Sequence, residues 1–144
     1  MQSIRKSILI LSALFAVATA NACSISYFNL DDQVAKTLTE SGGFKLKKYN
    51  EVCTKLNKAN AQLHISSLNG VASGRSLASV HVMVMDKKLP VVAYSNFGGS
   101  IQVNTDPSTT KSRQILADAI NDAIDNLDID AALASLEDAR KLAK

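Results

Sequence analysis

The sharpest chemical pattern in the chain is His81-Val82-Met83-Val84-Met85. On a β-strand, alternation puts His81, Met83 and Met85 on one face, with neighbours about 6.5 to 7 Å apart. Imidazole nitrogen and thioether sulfur make a soft ligand set suited to copper, above all Cu(I). The same residue types also serve as filler on a half-covered sheet face, where methionine adapts to irregular gaps. Filler is the expected role and metal binding its alternative. His64 and Tyr94 are the other candidates for that face, with Ser66, Ser79 and Asn96 nearby. A mixture of Met, Tyr and small polar residues fits a ligand or partner surface as well as it fits plain solvent.

Two further groups suggest contact with a partner. Asn69-Gly70 and Gly74-Arg75 bracket a glycine-bearing segment between two apolar runs, a natural contact loop. Asp118, Asp122 and Asp125 follow at helical spacing and form an acidic stripe. A solvated helix face is the ordinary reading of such a stripe, and docking of a basic partner is the sharper one. The calcium-loop pattern with its later glutamate is missing.

Catalytic signatures are scarce. Only His64 and His81 can serve as a base, and neither has an evident carboxylate partner in the sequence. There is no G-x-S-x-G elbow, H-E-x-x-H, P-loop or dinucleotide fingerprint. The expectation is a protein without catalytic activity and without a cofactor.

The meaning of the two cysteines, Cys23 and Cys53, depends on where the chain goes. Arg5 and Lys6 form a short positive region, and Ile8 to Ala18 is uncharged and apolar. That run fits the core of a secretory signal and is short of the roughly 20 residues a membrane span needs. Ala18-Thr19-Ala20 and Ala20-Asn21-Ala22 both satisfy the small-residue cleavage rule, so residues 1–22 are expected to be removed. The destination is then the periplasm or the cell exterior. In that oxidising setting an even pair of cysteines reads as a disulfide. It closes a loop of about 31 residues, worth roughly 3 to 4 kcal/mol in the chain-entropy model. The alternative is lipidation of Cys23, but Ala20 and Asn21 precede it poorly and Cys53 would be left a lone thiol. A redox enzyme would show C-x-x-C, and the chain has none.

Removal of the signal also changes the charge. The whole chain carries +3, and two of those charges are Arg5 and Lys6. A nearly neutral exported chain gives no reason to expect nucleic acid or an anionic membrane as partner. The absence of tryptophan and the 5% aromatic content argue against stacking platforms for bases. The roughly 122 remaining residues, 23–144, suffice for one domain with a single core.

The elements that must position these residues follow from periodicity. Asp31 or Asp32 caps a short helix through Val34 and Leu38, ended by Gly42-Gly43. Leu46, Tyr49, Val52, Cys53 and Leu56 recur on one face of a second helix. Ala61 to Leu68 then alternates, residues 69–74 read as a long turn, and Leu77 to Met85 alternates strongly. Pairing Ile65 with Val80, Leu63 with Val82 and Ala61 with Val84 satisfies the apolar face and sets His64 opposite His81. Leu89 to Phe97 forms a third strand, Gly98-Gly99 turns the chain, and Ser100 to Val103 forms a fourth. Asp106 and Pro107 open a long helix with an apolar stripe from Ile115 to Leu127, and a last helix runs from about Asp130 to Ala143.

The expected fold is α+β: a four-stranded antiparallel meander with N- and C-terminal helices on one face. The expected function is binding of a protein partner in the cell envelope, as an inhibitor, immunity or envelope-assembly accessory protein. The alternative is a carrier of a small ligand or of copper.

Overall fold

A computed structural model describes residues 23–143. The expected export signal, residues 1–22, lies outside the described residues. The elements are β1 (Tyr27–Asn29), α1 (Asp32–Ser41), α2 (Tyr49–Lys58), β2 (Ala61–Ala72), β3 (Arg75–Asp86), β4 (Val92–Asn104), α3 (Thr109–Asp125) and α4 (Ile129–Leu142). They form one four-stranded sheet in the order β1-β2-β3-β4, with all four helices on one face. The fold is α+β, as the periodicities imply.

The helices begin and end where local chemistry demands. The Asp31 side chain accepts the Gln33 N–H at the start of α1, and Gly42 ends that helix at φ 81°. Ser108, not Asp106, caps α3, accepting the Lys111 N–H. Asp128 caps α4 by accepting the Ala131 N–H. Each cap satisfies an amide the helix itself cannot.

The sheet differs from the meander in three ways. First, the short β1 pairs parallel to β2, with Phe28 opposite His64. Parallel neighbours need a crossover, and α1 and α2 supply it. Second, no long turn separates β2 from β3. The strands continue to Ala72 and Arg75, joined by Ser73 and Gly74 at φ 51° and 70°. Two positive φ values give the two-residue hairpin turn that matches strand twist. Third, Gly98-Gly99 is not a turn. β4 runs through it, with Gly98 opposite Val82 and Gly99 opposite His81.

The β2–β3 register is offset by two residues from the expected one. Leu63 pairs with Val84, Ile65 with Val82 and His64 with Met83. An offset of two preserves the face of every side chain. The two-residue turn fixes this register: Ala72 must oppose Arg75, so each later pair follows.

The inner face carries the core. Leu63, Ile65, Val80, Val82 and Val84 lie under Leu116, Ile120 and Ile124 of α3 and Leu136 of α4, all essentially without solvent contact. Each such side chain contributes about 1.5 to 3 kcal/mol. Ser76, fully buried on the same face, has its hydroxyl between the Asp106 and Ser108 carbonyls, with one proton to share between them, and so ties β3 to the start of α3.

Cys23 and Cys53 form the disulfide, with Cα atoms 6.0 Å apart. It fastens the segment before β1 to α2. Tyr49 Oη donates to the Cys23 carbonyl and Asn57 Nδ2 to the Ser24 carbonyl, reinforcing the joint. Replacing both cysteines with alanine should lower unfolding free energy by roughly 3 to 4 kcal/mol, since the bridge spans 30 residues. Denaturant titration checks this. A loss below about 1 kcal/mol would mean that the hydrogen bonds alone hold the segment.

Candidate functional site

The face of the sheet opposite the helices is covered by none of the described residues. Alternation puts Leu68 of β2, Leu77 to Met85 at odd positions of β3, and Phe97, Ile101 and Val103 of β4 on it. Leu68 is 67% exposed, Phe97 59% and Ile101 75%. Between the rim residues Arg75 and Lys87, no Asp, Glu, Lys or Arg occupies an outward position of β2, β3 or β4. Scattered apolar residues on a surface are normal, but a contiguous uncharged apolar sheet face marks an interaction site.

The register fixes how the His–Met set is arranged. His64 opposes Met83 across β2–β3, and His81 opposes Ser66 on one side and Gly99 on the other. The two histidines therefore sit in adjacent rows, not face to face as the expected register had them. Phe28 stacks on His64 and Phe97 leans on His81, each with ring centroids 5.6 Å apart. His64 Nδ1 is buried without a hydrogen-bond partner. Met85 lies two residues beyond Met83 on the same face, opposite Gln62 and Val92.

Tyr94 stands apart from this set. Tyr94, Ser95 and Asn96 bulge out of β4 between Phe97, opposite Met83, and Ala93, opposite Val84. Ser95 meets Ser135, and Asn96 Nδ2 donates to the Ala131 carbonyl, so the bulge is anchored to α4. Among the described residues no three His, Cys, Asp or Glu side chains converge as metal ligands.

The other candidates go mostly to internal bonds. Asn69 Nδ2 donates to Ser112 Oγ, and Gly70 belongs to β2 opposite Leu77. Gly74 forms the hairpin turn and Arg75 opens β3 at its exposed tip. Asp122 accepts from Gln102 Nε2 at 2.7 Å, and Asp125 accepts the Lys47 N–H at 3.1 Å. Asp118 alone of the three is exposed, on the wall of an open groove of about 730 Å³ with Glu40, Arg113 and Lys45. Charges of both signs line that groove, and Arg113 pairs with Glu40 at 3.6 Å.

The exposed residues Leu68, Phe97, Ile101 and Val103 carry no side-chain chemistry that marks a site. Their signal is legible all the same: Ile101 and Val103 alternate with Gln102, and each falls on the face that helices do not need.

No protein-family model, curated protein or solved structure matches this chain.

Proposed function

We propose that the protein acts, after export to an oxidising compartment, by binding a protein partner through the open face of its sheet. One observation carries this reading: an uncharged apolar face, rich in Leu, Ile, Val, Phe and Met, lies uncovered on a fold whose core is complete without it. Keeping such a face in water is unfavourable unless something covers it. The disulfide is compatible with the exported setting. No helix among the described residues is long and apolar enough to cross a membrane.

Substituting Leu68→Asp and Ile101→Asp together should leave folding nearly intact, because both side chains are exposed. A stability change within about 1 kcal/mol is expected for each strand substitution. The same variant should lose the partner that co-purifies with the wild-type chain from envelope fractions. Equal recovery of that partner would remove the face from the binding surface.

A second reading rests on His64 Nδ1, which is buried and unpartnered beside Met83 and one row from His81. An unsatisfied imidazole nitrogen next to a thioether fits a soft monovalent metal. Titration with Cu(I) against a weak chelator should then give one equivalent bound, lost in His64→Ala. Binding unchanged in that variant would end the copper reading.

A further inference from the structure

We infer that the partner of the open face is a second copy of this chain, stacked face to face about a two-fold axis; the inference rests on the reading of that face as the binding surface. The register sets large and small side chains in a fixed order across this face.

One row across the sheet reads Leu68, Ser79, Ile101: large, small, large. The next row reads Ser66, His81, Gly99: small, large, small. The two rows are size complements of each other. A two-fold axis lying between two such sheets, perpendicular to the strands and midway between these rows, stacks one row on the other. It places Leu68 of the second copy over Ser66, Ile101 over Gly99 and His81 over Ser79. The flanking rows follow the same operation. His64 falls over Gly70 of the second copy, and Met83 over Leu77. Met83 over Leu77 and Phe97 over Val103 are large-on-large pairs, both one row out from the central two.

An interface related by a two-fold must be self-complementary, and this face is so by its own sequence. Sheets pack face to face about 10 Å apart with strands about 30° from aligned, so the match is best near the axis, where these two rows lie. The absence of charge at the outward positions between Arg75 and Lys87 means that no like charges meet where the central rows of two copies stack. Three strands about 4.8 Å apart and four rows about 6.8 Å apart give a footprint on the order of 400 Å². This flat footprint is smaller than the about 800 Å² per partner that a standard interface buries, which places the dimer among weak, transient contacts. Micromolar concentrations are the range in which such a dimer is sought.

Sedimentation equilibrium of the exported chain from about 1 to 200 μM spans this regime. The mass should double across the range. Ile101→Asp should raise the dimer dissociation constant at least tenfold. Gly99→Val is the discriminating variant. A Cβ on Gly99 meets nothing closer than 3.8 Å within one copy, and far-ultraviolet circular dichroism checks that the valine variant keeps the fold. It fills the hollow that receives Ile101 of the second copy, and it should weaken the dimer at least tenfold although it adds apolar surface. A chain that stays monomeric at every concentration overturns the inference, as does a Gly99→Val dimer as tight as wild type. If the chain is monomeric yet still loses a different partner in the Leu68→Asp, Ile101→Asp variant, the second copy is excluded and the binding reading stands. If neither is seen, both fall.

Discussion

Replacing Gly98 with alanine should remove a large part of the protein's stability. The reason is a collision with backbone, not with a side chain that can turn aside. A Cβ built on Gly98 stands 1.9 Å from the carbonyl oxygen of Ala123 and 3.0 Å from both its carbonyl carbon and Leu127 Cβ. Helix α3 crosses β4 at that point, and Ala119 and Ala123 are small because the approach is so close. Relief requires α3 to lift by more than an ångström along its length. That would open gaps around Ile115, Leu116, Ile120 and Ile124, which are packed as tightly as an organic crystal. A loss above about 4 kcal/mol is expected, a large part of the roughly 5 to 15 kcal/mol that holds a domain of this size. Gly99→Ala is the control, since its Cβ meets only ordinary contacts, the nearest at 3.8 Å. Far-ultraviolet circular dichroism during denaturant titration separates the two. A Gly98→Ala protein as stable as Gly99→Ala would mean that α3 does not seat on β4 as described.

The second large effect is expected at Arg140. Its guanidinium reaches from the end of α4 to the end of β3 and to the junction between α2 and β2. Nε donates to Asp86 Oδ2 at 2.7 Å, and an Nη donates to the carbonyls of Ala59 and Asn60 at 3.0 and 3.3 Å. Another Nη meets Glu137. Asp86 closes β3 with its side chain only 6% exposed. Burial pushes its pKa up, but the Leu89 and Lys88 amides and the Arg140 guanidinium outweigh burial and hold it below the ordinary value. Arg140→Met keeps much of the packing and removes every donor. Leaving a buried carboxylate without its cation costs about 3 to 5 kcal/mol.

The pH dependence follows from the direction of the shift. A carboxyl whose pKa is lower in the folded chain adds stability above its unfolded value, near pH 4. That contribution disappears as pH falls through the lower folded value. The gap between wild type and Arg140→Met should therefore be full at pH 7 and shrink below pH 4. A gap that stays constant down to pH 2.5 would mean that the guanidinium acts through the carbonyls and packing alone.

How much of this was legible in the chain depends on which physical signal each residue carries. Helix α1 was readable to within a residue, Asp31 or Asp32 at its start and Gly42 at its end, because such residues carry their conformations in their own side chains or lack of one. The disulfide was readable because the chain has two cysteines and each has only the other to pair with. The faces of β2 and β3 were readable because alternation survives a register offset of two. The turn was misplaced because Asn69-Gly70 is the stronger local turn signal, while Ser73-Gly74 at positive φ is the pair that turns. Gly98-Gly99 misled for a related reason. Glycine serves flexible turns and close backbone approach alike, and only the position of Ala123 tells which. The parallel β1 was unreadable: three residues give no periodicity, and its place depends on the crossover through α1 and α2.

The candidate site was half legible. The Met–His face was found from alternation, and it is the open face. Its most exposed members, Leu68 and Ile101, carry no chemistry that marks them in a sequence; they matter because nothing among the described residues covers them. Asp122 and Asp125 show the converse. As a stripe they look like a docking surface, yet Gln102 and the Lys47 amide take them up within the chain.

The reading of the open face as the working surface can be put to one direct measurement in living cells. A photo-crosslinking residue is placed singly at Leu68, at Ile101, and at Lys58, which is exposed on the helical side. Discrete adducts from positions 68 and 101, with none from 58, are expected. Adducts of equal strength from all three positions, or from 58 alone, would contradict a function carried by the bare face of the sheet.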